Sequence, residues 1–264
     1  MGVGGWQDAA DRLVRSALAP LGRALSDHRG GERGRSLLVR VAGEPPERLE
    51  TSYFFRPPSR MGLVDRTALE LARGRVLDVG ACAGAHSLPL HRRGLPVTSL
   101  ELVPEAVAVL TGRGLPDVRE ESVWSFRSDL PYDTVLALMN GAALAGTLAR
   151  LEPLLHRIRE LTRKDGQLLV DSTEVDAEEG GDLFGEGESG GALELHYQLE
   201  YRGERGPPFP QLMVSSSALE SAAARAGWRT EVVARHGGRY LARLRPAPPG
   251  RRRTRSPGLG SRRA

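Results

Sequence analysis

The sequence predicts an α/β protein with a doubly wound, mostly parallel sheet, and three observations support this prediction. First, residues 75–88, RVLDVGACAGAHSL, read as an apolar strand, a glycine-containing loop and the start of a helix. Second, strand and helix patterns alternate from this stretch as far as residue 171. Third, residues 132–138 form a nearly continuous apolar run, as expected of a parallel strand buried on both faces.

Composition narrows the class of protein. The chain has 264 residues, of which 40% are apolar and 27% charged, and this is typical of a globular protein with one large domain or one domain with appendages. No apolar run is long enough to span a bilayer, and residues 1–12 lack a signal-peptide core, so a cytoplasmic enzyme without a membrane partner is expected. The single cysteine excludes an internal disulfide, and no metal site is predicted.

The net charge of +4 comes from the end of the chain. Residues 251–264 contain six arginines and no acidic residue, and the basic and acidic residues of the remainder nearly balance. A nucleic-acid partner is therefore not expected for the folded domain. The Arg/Pro-rich tail, residues 246–264, is predicted to be a disordered end.

The loop in residues 75–88 has the chemistry of a nucleotide cradle, because glycine allows a sharp turn and the following helix start offers free N–H groups. Its order is Asp78-x-Gly80-x-Cys82-x-Gly84, which fails the Gly-x-Gly-x-x-Gly spacing of dinucleotide-binding proteins. It resembles motif I of the class I S-adenosylmethionine-dependent methyltransferases, Asp/Glu-x-Gly-x-Gly-x-Gly. Cys82 stands at the middle glycine, where we expect it to be tolerated with a negative φ and to carry a partly activated thiol.

This resemblance implies a seven-stranded, Rossmann-like sheet that a helix and an antiparallel hairpin complete after the fifth strand. It also implies S-adenosyl-L-methionine as cofactor and S-adenosyl-L-homocysteine as product. The cofactor-binding residues expected from it are Asp78, Gly80, Ala81, Cys82, Gly84, Glu101, Leu102, Ser122, Val123, Asn140 and Gly141.

Three of these residues have specific expected roles. Glu101 ends the second strand and can accept hydrogen bonds from the ribose hydroxyls. Ser122, followed by Val123 and Trp124, stands where the family often has an adenine-binding Asp. Asn140 follows the fourth strand and can contact the methionine portion of the cofactor or the substrate, or else form an Asx turn.

The rest of the chain is predicted to form segments around the methyltransferase domain, residues 61–245. Residues 1–60 are an N-terminal helical appendage ending in the cluster Tyr-Phe-Phe-Arg-Pro-Pro, which either staples the appendage to the domain or lines the substrate pocket. Residues 174–214 are an insertion with an acidic loop and a β-hairpin, expected to cover the ligand edge of the sheet as a lid.

The predicted reaction is in-line transfer of a methyl group to a small-molecule O or N acceptor. A general base is needed only for a poorly acidic acceptor, and the sequence leaves four candidates open, namely His86, Asp171, His196 and Tyr197. Two other readings stay open. One is a catalytically silent, cofactor-binding scaffold subunit, and the other is an RNA- or protein-directed methyltransferase that docks through its arginine tail.

Overall fold

The computed structural model describes residues 3–175 and 191–248, with side chains from residue 9 onward. The predictions for most of the acidic loop and for the arginine tail fall outside these ranges. The helices are α1 (Val3–Arg29), α2 (Leu63–Leu71), α3 (Ser87–Arg92), α4 (Pro104–Gly112), α5 (Leu148–Leu161) and α6 (Ser216–Arg225). Short 3₁₀ turns cover Thr51–Phe55, Pro58–Arg60 and Gly141–Ala145.

The strands are β1 (Ser36–Val41), β2 (Glu47–Glu50), β3 (Val76–Val79), β4 (Val97–Leu100), β5 (Val118–Arg119), β6 (Tyr132–Ala137), β7 (Thr162–Thr173), β8 (Ala192–Tyr201), β9 (Glu204–Arg205), β10 (Phe209–Val214), β11 (Trp228–His236) and β12 (Arg239–Pro246).

Seven strands form the main sheet, in the order β11-β12-β7-β6-β3-β4-β5. Strands β5, β4, β3, β6 and β7 pair in parallel, and β12 is antiparallel to both β7 and β11. This confirms the predicted doubly wound sheet and its closing hairpin. The chain order reverses between β3 and β6, so a crevice opens beyond the carboxyl ends of these two strands, where ligands bind in such sheets.

Local chemistry explains most element boundaries. All four residues of β3 are buried, because helices cover both faces of the central strand. Pro104 begins α4 at a position where its missing N–H costs nothing. The N-cap of α6 is Ser215, whose Oγ accepts a hydrogen bond from Ala218 N at 3.3 Å.

Two of the parallel strands have irregular ends. Strand β5 ends at Arg119, and the chain then turns at Ser122, whose carbonyl accepts hydrogen bonds from Ser125 N and Phe126 N. Strand β7 begins at Thr162 and contains a bulge near residues 165–166, where its register with β6 shifts.

A second sheet joins the N-terminal segment to the insertion. Its order is β10-β8-β1-β2, with β9 also on β8, and Val39 of β1 lies opposite Leu199 of β8. Helix α1 packs across β8 and α4, and its Ala17 shares a buried cluster with Leu37 and Tyr201. The appendage and the insertion are therefore one packed unit beside the main sheet, a pairing that the sequence analysis did not predict.

The main apolar core lies on the two faces of the large sheet. One face packs against α5 and α6 through residues such as Leu154 and Leu219, and the other packs against α2 through Val64 and Leu69. Within residues 3–175 and 191–248, no helix is long and apolar enough to cross a membrane.

Candidate active site

Backbone strain concentrates at the crevice beyond β3 and β6. The described residues include four non-glycine residues with positive φ, and three of them lie here, Cys82 (51°), Met139 (67°) and Asn140 (63°). A left-handed conformation costs a residue with a Cβ about 1 to 2 kcal/mol. Such strain gathers at ligand-binding sites because the surrounding structure holds it in place, and this marks the crevice as the candidate site.

The loop between β3 and α3 is anchored to the neighbouring strand. The backbone N–H groups of Gly80 and Ala81 both donate to Leu100 O, each at 3.0 Å. Gly80 has a φ of 74°, and a Cβ built on it would lie 3.6 Å from Leu144 Cδ2, an ordinary van der Waals contact. The backbone conformation, and not a close contact, therefore favours glycine at this position.

Gly84 has a packing role in the loop. Its φ is 81°, and a Cβ at this position would lie 2.9 Å from Leu110 Cδ2 and 3.2 Å from Leu115 Cδ1, both buried. This glycine therefore lets the loop pack closely against α4 and its following turn.

Glu101 lies at the end of β4, and backbone donors surround its carboxylate. Oε2 accepts from Cys82 N at 2.8 Å, and Oε1 accepts from Leu102 N at 2.7 Å and from Val103 N at 3.1 Å. Burial raises the pKa of Glu101, although these three hydrogen bonds oppose the rise. A carboxylate offers about four lone-pair sites, so Oε2 still has capacity for a ligand hydroxyl.

Cys82 differs from both expectations made for it. Its φ is positive, where a negative value was expected, and the thiol is not activated. Burial raises the pKa of Cys82 well above its usual range, and the Glu101 carboxylate raises it further. The prediction of activation was wrong because α3 begins only at Ser87, five positions later, so no helix terminus acts on the thiol.

Asp78 supports the loop from within the protein. Its carboxylate is buried and accepts a 2.5 Å hydrogen bond from Ser87 Oγ, which also lies 2.9 Å from Ser99 Oγ. Burial raises the pKa of Asp78, while the His86 ring and the Ser87 hydrogen bonds act against the rise. The side chain thus joins the end of β3 to the start of α3 and to β4.

The predicted adenine-binding residues lie in the turn after β5. Ser122 is buried, with its Oγ 3.3 Å from Ser125 Oγ, and Val123 belongs to the main core. Trp124 is half-buried, and the Arg150 guanidinium lies 4.8 Å from the centre of its ring. Leu102 follows Glu101 directly and is half-buried.

Asn140 and Gly141 join the main sheet to the second sheet. Asn140 Nδ2 donates to Leu212 O at 3.2 Å, and Asn140 Oδ1 accepts from Ser172 Oγ at 3.1 Å. Gly141 N donates to Asp171 Oδ1 at 3.0 Å. Both ends of the Asn140 amide therefore have protein partners in two strands. The sequence analysis expected a ligand contact or an Asx turn instead, and neither includes these partners.

A buried ionic cluster lies beside the loop. Asp65 Oδ1 accepts from Arg56 at 3.2 Å and lies 2.9 Å from His86 Nε2, while Asp65 Oδ2 is 3.7 Å from the Arg239 guanidinium. Arg239 also donates to Asp171. Burial acts to raise the pKa of Asp65, but His86 and the two arginines outweigh it and lower this pKa to about 2. Asp65 is therefore ionised, and His86 Nε2 donates to it.

Next to this cluster is a cavity of about 260 Å³. It is lined by Tyr53, Met139, Asn140, Thr173, Tyr197, Gln211, Met213 and Arg239. The lining comes from the N-terminal segment, the end of β6, both sheets and the closing hairpin. A larger cleft of about 340 Å³, lined by Arg75, Pro96 and Asp117 among others, lies at the amino ends of the parallel strands, away from the strained loop.

In the aromatic cluster before α2, different residues staple the appendage and line the cavity. Phe54 is buried, and Phe55 stacks on His28 of α1 with ring centres 4.5 Å apart, so these two residues staple the appendage. Tyr53 lines the cavity, with the Arg56 guanidinium 3.8 Å from the centre of its ring.

Of the four candidate bases, Tyr197 is the one that lines the cavity. Burial raises its pKa, and the Glu47 carboxylate adds to the rise, so at neutral pH it is a phenol that donates hydrogen bonds. His196 is exposed on the opposite face of β8. His86 and Asp171 are buried in the ionic cluster, where each already has a partner.

Sequence reasoning missed Arg56, Asp65 and Arg239 as members of the site. Arg56 and Asp65 are nine residues apart and Arg239 lies in the closing hairpin, and the fold brings the three together. The one local signal was the position of Arg56 inside the aromatic cluster, next to Tyr53.

The parallel sheet, its strained loop at the switch point and the adjoining cavity define a Rossmann-like, nucleotide-binding enzyme fold. No family model matches the chain. Comparison with solved structures finds a SAM-dependent methyltransferase from Bacteroides fragilis, in complex with S-adenosyl-L-homocysteine, that is 30% identical. The match covers 88% of this chain and 96% of that chain, with a TM-score of 0.76. The chain therefore belongs to the S-adenosylmethionine-dependent methyltransferases.

Two further proteins resemble this chain, one in fold and the other over part of its length. The CcbJ methyltransferase of Streptomyces caelestis is 17% identical over 70% of this chain and 90% of its own, and its TM-score of 0.54 supports the fold. The ubiquinone biosynthesis O-methyltransferase of Xanthomonas euvesicatoria pv. vesicatoria (strain 85-10) is 39% identical over 88 residues. That match spans 31% of this chain and 36% of the relative, about a third of its length.

Proposed function

We propose that this protein transfers a methyl group from S-adenosyl-L-methionine to an O or N atom of a small molecule bound in the cavity beside Tyr53. The observation that carries the proposal is the position of Met139. It lines the cavity, and together with Cys82 of the glycine loop it packs against one buried cluster. The acceptor cavity and the cofactor loop thus adjoin at a single strained turn.

The residues of the crevice fit the cofactor. Gly80 adopts a left-handed backbone at the turn after β3, as a loop that bends sharply around a ligand requires, and Glu101 has an oxygen with remaining acceptor capacity for a ribose hydroxyl. We assign Ser122 and Val123 to the adenine end of the cofactor. The loop residues Ala81 and Cys82 are assigned to the part of the site between the adenine and the acceptor cavity. When bound, the cofactor supplies an electrophilic methyl group.

The chain's own contribution is to align the acceptor and exclude water. Met139 and Met213 offer apolar surface, while the side chains of Tyr53, Tyr197 and Gln211 offer hydrogen bonds that orient a small polar ligand. A cavity of about 260 Å³ suits a small molecule, and this favours a small acceptor over a protein or RNA chain.

Labelled methyl transfer tests the proposal. The purified protein is incubated with S-adenosylmethionine carrying a labelled methyl group and with a cell extract separated into low-mass and macromolecular fractions. Label in the low-mass fraction supports the proposal, and label only in protein or RNA contradicts it. Tyr53→Ala should lose transfer and keep binding of S-adenosylhomocysteine in a calorimeter, because Tyr53 lines the acceptor cavity and not the glycine loop.

A further inference from the structure

The charge of the cavity narrows the acceptor class. Among the described residues that line it, Arg239 is the charged one, and 29% of its side chain is exposed. The carboxylates that face Arg239, those of Asp171 and Asp65, are almost completely buried and lie outside the lining. Arg239 therefore places a positive charge at the cavity, while the two carboxylates that compensate this charge are buried in the protein outside the lining.

The geometry of the cluster holds this cation in place. Arg239 donates one hydrogen bond to Asp171, and Asp171 is itself fixed by Gly141 N at 3.0 Å. On the other side, Asp65 is 3.7 Å from the guanidinium and is shared with Arg56 and His86. A guanidinium has five N–H donors in a planar fork, so an arginine with these two partners retains N–H donors for a further anion.

Neutral donors surround the same space. Tyr197 stays protonated at neutral pH, and Tyr53 and Thr173 offer further hydroxyl groups. Hydroxyl donors and a guanidinium together favour an oxygen that carries negative charge, because charge-assisted hydrogen bonds are stronger than neutral ones. A cationic amine placed there would face the like charge of Arg239.

We infer that the acceptor carries an anionic oxygen group, a carboxylate or a phosphonate-type group, that pairs with the exposed edge of Arg239. The inference rests on the proposed function and narrows it to small organic acids with an apolar part. That apolar part would lie against Met139 and Met213. An acid that binds in this way is held by the bidentate contact that arginine makes with planar or tetrahedral oxyanions.

Calorimetry with simple probes tests the inference. Protein saturated with S-adenosylhomocysteine is titrated with benzoate, with phenylphosphonate and with their neutral counterparts benzamide and benzyl alcohol. At least one anion should bind about tenfold or more tightly than the neutral probes. The stronger of the two anions identifies the oxyanion geometry. Equal binding of anionic and neutral probes would overturn the inference.

Variants test whether Arg239 causes the preference for anionic probes. Arg239→Gln combined with Asp171→Asn removes the cation and its counter-charge together, and the amide oxygen introduced at position 171 can still accept from Gly141 N. The double variant should abolish the preference for anions while S-adenosylhomocysteine still binds. Arg239→Lys should keep part of the preference, because it retains charge without the fork. Arg235→Gln is the matched control, since Arg235 pairs with Glu174 outside the cavity lining, and it should keep the full preference.

The two proposals fail in distinguishable ways. If the folded wild-type protein does not bind S-adenosylhomocysteine, the proposed function fails, and the inference fails with it. If it binds S-adenosylhomocysteine but shows no preference for anions, or if the double variant keeps the wild-type preference, the inference alone is overturned.

Discussion

Asp65 Oδ1 lies 2.9 Å from His86 Nε2, and this contact ties the helix before β3 to the N-cap residue of α3. Both side chains are buried, and Asp65 also neutralises Arg56, whose side chain is 5% exposed. One carboxylate therefore fixes the end of the glycine loop, the aromatic segment with Tyr53, and the hairpin that carries Arg239. The acceptor cavity and the loop depend on the same buried anion.

Replacing this anion should cost much of the protein's stability. Asp65→Asn leaves the Arg56 guanidinium buried without its charged partner, and breaking a buried pair in this way costs about 3 to 5 kcal/mol. The free energy of unfolding from urea denaturation measures the loss. Asp165→Asn is the control, because Asp165 is exposed and pairs with Arg163 at the surface, and it should leave the unfolding midpoint unchanged. Equal midpoints for the two variants would contradict a central role for Asp65.

The same carboxylate predicts a pH dependence. The pKa of Asp65 is lowered to about 2 in the folded protein, below its unfolded value of about 3.9. The stabilisation is therefore fully present above about pH 4 and is lost as the pH falls from there towards 2. The stability difference between wild type and Asp65→Asn should shrink by about 2 kcal/mol over this window. Unfolding curves at a series of pH values measure it, and a constant difference would contradict the prediction.

Local patterns predicted the parts of the fold that depend on neighbouring residues. The β3 strand, its glycine loop and α3 are adjacent in sequence, and apolar periodicity together with Gly80 and Gly84 identifies them. Glu101 could be placed because it follows its strand directly. The Glu101 carboxylate bonds to Leu102 N and Val103 N, two residues that the same stretch of sequence contains.

The rest depends on contacts between distant segments. Val39 of β1 lies opposite Leu199 of β8, and these strands belong to distant parts of the chain. The alternation pattern of a strand does not indicate which other strand it pairs with. The ionic cluster around Asp65 has the same character. The left-handed backbone at Cys82 and Met139 also had no signal, because both are residue types that rarely adopt it and the surrounding structure imposes it.

An experiment can distinguish a glycine that only the backbone conformation requires from one that close packing also requires. Gly84 and Gly94 have nearly equal φ, 81° and 82°, but a Cβ at Gly94 has no atom within 4 Å, whereas one at Gly84 approaches Leu110 and Leu115. Gly94→Ala should lose about 1 kcal/mol, the cost of the backbone alone. Gly84→Ala should lose about 1 to 3 kcal/mol more, from overpacking of a buried site. Equal losses in urea unfolding would show that the neighbouring leucines move aside freely.

Glu101→Gln should weaken cofactor binding. The substitution replaces one carboxylate oxygen by an NH₂ group, which donates and cannot accept a hydrogen bond, next to backbone donors such as Cys82 N and beside the proposed ribose site. Affinity for S-adenosylhomocysteine, measured by calorimetry, should fall about tenfold or more. Glu70→Gln is the matched control on the exposed side of α2, and it should bind as the wild type does.

An analogue separates ribose contact from loop support. Wild-type protein should bind S-adenosylhomocysteine more tightly than its 2′-deoxy analogue, and the difference should disappear in Glu101→Gln if this side chain accepts from the hydroxyl. A difference that persists unchanged in the variant would mean that Glu101 supports only the loop, through Cys82 N and Leu102 N.

The Cys82 thiol should alkylate slowly in the native protein. Burial and the Glu101 carboxylate raise its pKa, so at neutral pH it holds less reactive thiolate than an ordinary thiol, whose pKa is about 8.5. Because the chain has one cysteine, the rate of reaction with iodoacetamide reports this site alone. The midpoint of the rate against pH should lie above that of the protein unfolded in urea. S-adenosylhomocysteine should slow the native reaction further, since Cys82 lies in the loop assigned to it.

Glu101→Gln provides the internal check on the electrostatic cause. Removing this carboxylate takes away the charge that acts on Cys82 and leaves burial as the main cause of the raised pKa. The midpoint for alkylation should therefore move towards lower pH in the variant while staying above that of the unfolded chain. A native midpoint at or below the unfolded value would contradict the raised pKa of the half-buried thiol, and an unchanged midpoint in the variant would show that the carboxylate does not act on it.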